Sequence, residues 1–157
     1  MTSTCHNSNI KKMNITRNFT LEELTASATA TRLGIDNTPS EAVKRNLTRL
    51  ATDIMQRIRD RWGQPIIVSS GYRSQALNRA VGGSPTSQHC LGQACDFHAV
   101  NRDNNWMLYA LIREMVRRGD IICGQIIWEY GTRQNPQWIH ISLPGGHTNQ
   151  FIKIGVK

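Results

Sequence analysis

No apolar run in the 157-residue chain approaches the roughly 20 residues a helix needs to cross a bilayer, so no membrane span is expected. The N-terminal stretch Met1-Thr2-Ser3-Thr4-Cys5-His6-Asn7 is polar and lacks the apolar core of a secretory signal. Synthesis and folding in the cytoplasm are therefore expected, with any export by another route. Internal repeats and low-complexity segments are absent. The 4 cysteines (Cys5, Cys90, Cys95, Cys123) are too few for a disulfide framework at this length. Cys90 and Cys95 do not have the Cys-x-x-Cys spacing of a structural zinc site, and they read as small apolar fillers.

Acidic residues are also scarce. There are 11 Asp and Glu against 19 Lys and Arg, a formal net charge of +8. Such an excess draws a protein either to nucleic acid or to an anionic polymer such as a bacterial cell wall. The basic residues form no block; they are spread through helical segments (Lys44, Arg45, Arg49, Arg57, Arg59, Arg61, then Arg113, Arg117, Arg118) and read as solvated faces. Without interleaved aromatics or a recognised module, nucleic acid is the poorer partner.

A hydrophobic content of 39% suits a single domain with a sizeable core. Residues 1–17 are polar and aperiodic, and a loosely attached lead is expected there, with one domain over 18–157. Thr20-Leu21-Glu22-Glu23 is a capping box that opens a short helix ending near Ser27. A second box, Thr38-Pro39-Ser40-Glu41, predicts a helix capped by Thr38 with Pro39 in its first position. Val43, Leu47, Leu50, Ile54, Ile58 and Trp62 then mark one helical face as far as Gly63.

Beyond Gln64-Pro65, residues 66–70 read as a short strand, and Ser74 caps a helix over 75–81. Gly82-Gly83-Ser84-Pro85 forces a loop. Residues 94–100 read as a strand, and Asn104 or Asn105 caps a helix that Gly119 ends. Strands follow at 125–129 and 138–143. Helices come first and strands mostly later, which predicts an α+β fold with a small antiparallel or mixed sheet flanked by helices.

Candidate chemistry gathers in two stretches, Ser69-Ser70-Gly71-Tyr72-Arg73-Ser74 and Ser87-Gln88-His89-Cys90-Leu91-Gly92-Gln93-Ala94-Cys95-Asp96. Strand alternation puts Asp96 and His98 on one face, with Cys95 and Phe97 on the other. In Trp138-Ile139-His140-Ile141-Ser142, the isoleucines read as core and His140 as facing a cleft. His89, Asp96 and His140 together make a two-histidine, one-carboxylate set of the kind that holds a catalytic zinc with one position left for water. His98 competes with them; His6 and His147 do not.

Ser-Gly-Tyr-Arg-Ser (70–74), Ser87-x-His89 followed by Asp96, and Trp138-x-His140 together resemble the zinc D-alanyl-D-alanine carboxypeptidase family. That family is grouped with L-alanyl-D-glutamate endolysins and the hedgehog-like fold. The likeness extends through Phe19 to Leu24, Asn37, the long helix and Leu77-Asn78-x-x-Val81-Gly82-Gly83, covering roughly residues 18–143, and is nearest to small phage-type members.

The resemblance implies a zinc metallopeptidase acting on peptidoglycan stem peptides, with His89, Asp96 and His140 as zinc ligands. It also implies that Arg73 holds substrate and that Ser87 bonds substrate or steadies the His89 loop. Many relatives carry an acid three residues before the last histidine, where this chain has Gln137. Glu129 is the expected substitute as general base, brought beside His140 by pairing of the last two strands. A carboxypeptidase of the D-Ala-D-Ala type, an L-Ala-D-Glu endopeptidase and a non-catalytic zinc-containing binding module remain open.

Overall fold

The computed structural model describes residues 13–157. Most of the expected loose lead therefore lies outside the described residues. From Met13 onward the chain is bonded to the body. Leu21 N–H donates to the Met13 carbonyl at 3.0 Å, Ile15 N–H to that of Phe19 at 2.9 Å, and Ile15 packs against the core.

Helix α1 (Leu21–Thr25) begins as the capping box predicts, with the Thr20 hydroxyl accepting from Glu23 N–H at 3.1 Å. The chain then turns into a helix that the sequence reading omits, α2 (Ala28–Leu33). Ser27 caps it by accepting from Ala30 N–H at 3.1 Å, and Gly34 closes it at φ +65°. The alternating Ala-Thr sequence hides any helical stripe, since only Ala30 is buried.

The long helix starts later than expected. Ser40, not Thr38, is its cap, accepting from Val43 N–H at 3.2 Å, and Pro39 lies ahead of the first turn. Helix α3 (Glu41–Leu50) passes through a π-helical turn (Ala51–Met55) into α4 (Gln56–Trp62), ended by Gly63. Of the predicted stripe, Val43, Leu47, Leu50, Ile54 and Ile58 are buried and Trp62 is partly buried against them. The wider π turn also brings in Met55, which strict 3.6-residue spacing leaves out.

Five strands form one mixed sheet: β1 (Ile66–Ser70), β2 (Ala94–Ala99), β3 (Gln125–Glu129), β4 (Trp138–Ser142) and β5 (Gln150–Ile154). Their order is β1-β2-β4-β3-β5, antiparallel throughout except for the parallel β3–β5 pair. The α+β, mixed-sheet expectation holds; β5, an exposed edge, is an addition to it. Helix α5 (Gln75–Ala80) starts at Ser74 as expected. Helix α6 (Asn105–Arg117) has Asn104 at its cap position without a side-chain bond. The buried Asn105 instead accepts from Ala99 N–H at 2.9 Å and donates to the Pro136 and Gln137 carbonyls, tying β2 to the turn before β4.

Each strand presents one apolar side to the helices. Cys95, Phe97, Ile126, Trp128, Ile139 and Ile141 join Leu47, Ile54, Leu108 and Ile112 in one core. Burying each such large side chain stabilises the fold by about 1.5–3 kcal/mol. Cys95 and Cys123 belong to this core as free thiols, and burial pushes the Cys123 thiol up to about 12. Because side chains alternate, the other side of the sheet carries Asp96, His98, Ile127, Glu129, Trp138 and His140.

Candidate metal centre and catalytic cleft

Register alone places two of the expected ligands together. Asp96 on β2 pairs directly with His140 on β4, and His140 Nδ1 donates to Asp96 Oδ1 at 2.9 Å. The third comes from a short 3₁₀ turn, Gln88–Leu91. Ser87 caps this turn, its hydroxyl accepting from His89 N–H at 3.3 Å, and Gly92 closes it at φ +69°. A Cβ on Gly92 would lie 2.8 Å from Val43, so the turn packs against α3 only with glycine there.

His89 Nε2 reaches to 3.3 Å from Asp96 Oδ1, and the His89 and His140 rings meet edge to face with centroids 5.1 Å apart. One ligand atom from each of His89, Asp96 and His140 lies within 4.8 Å of the others.

This donor set fits a divalent cation. His89 Nδ1 lies 2.7 Å from the Gly71 carbonyl, which can only accept, so Nδ1 carries the hydrogen. That leaves Nε2 as the ring atom turned toward the Asp96 carboxylate, and a cation would take these two atoms as donors. Asp96 is largely buried, which opposes its charge. Hydrogen bonds from His140 and His89, with the charges of both rings, outweigh burial and hold its carboxyl well below the usual range.

Arg73 follows β1 in a turn fixed from two sides. Its N–H donates to the His89 carbonyl at 3.1 Å, and Asn37 accepts from Ser74 N–H at 2.7 Å while donating to the Tyr72 carbonyl at 3.0 Å. The side chain lines a cavity of about 320 Å³ together with Asp96, Ser70 and residues of the α1–α2 corner. It forms no ion pair among the described residues, and its buried Nε has no hydrogen-bond partner. A structural salt bridge is thereby excluded as its role among these residues.

Glu129 ends β3 opposite Trp138 and on the same face as His140, which pairs with Ile127. The register puts Glu129 diagonal to His140 rather than directly across from it. Burial raises its carboxyl above the ordinary glutamate range and the Asp96 charge adds to this. His140, the Trp138 indole N–H and Arg73 pull partly back. The indole makes no hydrogen bond of ordinary geometry, yet it lies close enough to favour the carboxylate. Gln137 is exposed, and its backbone N–H donates to the Glu129 carbonyl.

A family described as Peptidase M15 matches residues 17–142. The chain belongs to the peptidase M15 family. Among solved structures it is similar to the crystal structure of Serratia marcescens L-Ala D-Glu endopeptidase ChiX, with 27% identity and a TM-score of 0.36. That match covers 67% of this chain and 88% of the other. No curated protein matches it.

For an M15 peptidase the clustering of His89, Asp96 and His140 gives a group able to bind a metal on the open face of the sheet. His98 shares that face but pairs with Ile67 on β1, and its Nδ1 lies 2.7 Å from the Ala99 carbonyl, outside the cluster. His147 is exposed beyond β4. No described helix is long and apolar enough to cross a membrane.

The sequence reading missed three supporting features. One is the Gly71 carbonyl that orients His89. Another is the extra residue in β1 between Val68 and Ser70, a bulge that redirects the chain into the Arg73 turn opposite Asp96. The third is buried Asn78, which donates to the Ser84 carbonyl at 2.8 Å and closes the glycine loop. A Cβ on Gly83 would come within 2.0 Å of Asn78 Oδ1 and 3.2 Å of Arg73 Nη1. Only the paired glycines hinted at this close approach.

Proposed function

We propose that the protein is a zinc-dependent peptidoglycan peptidase that removes the terminal residue from stem peptides ending in D-Ala-D-Ala. The observation that carries this reading is the meeting of His89, Asp96 and His140 beside Arg73, a cation without an ion-pair partner among the described residues. Zinc held by these three side chains would polarise the scissile carbonyl and lower the pKa of a water.

The protein's own groups do the rest. The Arg73 guanidinium pairs with the substrate carboxylate one residue beyond the scissile amide, fixing the peptide in register. Glu129 takes the proton from the attacking water and delivers it to the leaving amine. Its partial burial and raised carboxyl suit a group that must both accept and return a proton. Ser87 steadies the His89 turn with its lone pair while its hydroxyl hydrogen stays free to meet substrate.

The same Arg73 also supports cleavage between L-Ala and D-Glu. D-Glu is linked onward through its side chain, so its α-carboxylate stands where the terminal carboxylate of D-Ala-D-Ala would. Incubation with defined stem peptides, with and without zinc, separates the readings by product mass. Release of D-Ala supports the carboxypeptidase, and a new D-Glu amino terminus supports the endopeptidase. Binding without any product would leave a non-catalytic wall-binding module and sink both.

A further inference from the structure

We propose that a second groove, on the helix-packed side of the sheet, binds the glycan strand of peptidoglycan; this rests on the peptidoglycan reading above. The groove lies where α6 meets the β3–β5 edge and has a volume of about 410 Å³, within the roughly 300–1,000 Å³ of small-molecule sites. Its walls are aromatic: Trp106 and Tyr109 from α6, Trp128 from β3 and Phe151 from β5. Tyr109 meets Trp128 and Phe151 edge to face at 5.2 and 6.0 Å, which holds these rings as a rigid floor. Trp106, by contrast, is 49% exposed, and its backbone N–H is anchored to Asn135 Oδ1 at 2.8 Å. An indole carried on an anchored backbone and left open offers a flat face to a ligand.

The groove is also cationic. Arg113 stands over the Phe151 ring at 5.7 Å and Lys153 over the Trp128 ring at 4.3 Å, so both charges are held against the aromatic walls. Neither forms an ion pair among the described residues, no acidic residue lines the groove, and Glu114 on the same helix is taken by Arg117 at 2.8 and 2.5 Å. The exposed Trp106 indole beside two cations without ion-pair partners among the described residues fits a sugar chain that carries carboxylates. Stretches of peptidoglycan glycan that have lost their stem peptides supply both, as pyranose faces and free muramyl lactyl carboxylates; where a peptide remains, the lactyl carboxyl is tied up in an amide. A linear polyol phosphate supplies anions but no ring faces.

The β5 edge separates this groove from the Glu129 face of the same sheet. A glycan held there would tether the enzyme to the polymer whose peptides it cuts.

The test uses the full chain loaded with zinc and glycan oligomers stripped of peptide, with binding read by calorimetry. Trp106→Ala and Lys153→Gln are each expected to lose roughly tenfold in glycan affinity, the scale of one stacking or charge contact. Their cleavage of free stem peptide in solution should be unchanged. Absence of glycan binding by the unaltered protein, or full affinity in both variants, overturns the proposal. Tighter binding of single-stranded DNA than of glycan also overturns it, making the groove a nucleic-acid site. Glycan binding that depends on Trp106 without any peptide cleavage sinks the peptidase reading alone.

Discussion

Nδ1 of His89 donates to the carbonyl oxygen of Gly71 at 2.7 Å, joining the first side chain of the His89–Asp96–His140 cluster to the glycine that opens the Arg73 turn. Gly71 is buried, and a Cβ there would lie 2.1 Å from the Leu24 carbonyl oxygen. Gly71→Ala must push α1 or the turn aside, a strain of about 1–3 kcal/mol. A lower Tm and weaker metal binding are expected together, read by thermal melts with and without added zinc. Unchanged zinc affinity would show that the carbonyl does not orient His89.

Asp96 is the central residue of the cluster, its Oδ1 lying 3.3 Å from His89 Nε2 and 2.9 Å from His140 Nδ1. Asp96→Asn keeps the shape but removes the charge between the two imidazoles, and zinc affinity should fall roughly hundredfold or more. Competition with a chromogenic chelator measures it. Chelation of the unaltered protein should abolish peptide cleavage, and zinc should restore it.

Glu129→Gln should lower kcat by about 10²–10⁴-fold while zinc content stays at the unaltered level. Gln137→Glu in that background should restore little, because residue 137 is exposed. Rescue by Gln137→Glu would move the general base to that position and end the case for Glu129.

The same substitution has a stability signature in the metal-free protein. The Glu129 carboxyl is raised in the fold, so its ionised form is disfavoured there; it contributes stability below the unfolded glutamate pKa, lost as pH rises through the folded value. Glu129→Gln should therefore gain Tm relative to the unaltered chain at pH 7, and gain less near pH 4. Melts across that range in chelator read the difference. Equal differences at both ends would show that Glu129 is not desolvated.

Arg73→Ala removes the proposed substrate anchor without breaking a described ion pair. Loss of a charge-assisted hydrogen bond is worth about 1.5–3 kcal/mol, so kcat/KM should fall roughly tenfold to a hundredfold. Tm and zinc content should hold. Amidation of the substrate carboxylate should cost the unaltered enzyme a similar factor and cost Arg73→Ala nothing more.

Much of this arrangement was legible without coordinates because it follows from local periodicity. Alternation along Cys95-Asp96-Phe97 and Ile139-His140-Ile141 sends apolar side chains one way and the candidate donors the other, and the core cluster takes Cys95, Phe97, Ile139 and Ile141 but neither Asp96 nor His140. The stripe from Val43 to Ile58 and the caps at Thr20 and Ser74 were equally local. Helix α2 and strand β5 escaped notice because Ala-Thr alternation and a five-residue edge strand carry little hydrophobic signal.

By itself, the sequence determined which residue types could bind a metal and which faces they would occupy, since both depend on neighbours within a few positions. Tertiary structure decided what they meet. Pairing of β2 with β4 set Asp96 against His140, and pairing of β3 with β4 set Glu129 two residues from it. The Gly71 carbonyl, from another part of the chain, oriented His89. Tertiary packing also left Arg73 without an ion-pair partner among the described residues and set Arg113 and Lys153 over aromatic rings. Those relations depend on strand register and on packing across long sequence separations, which no local pattern encodes.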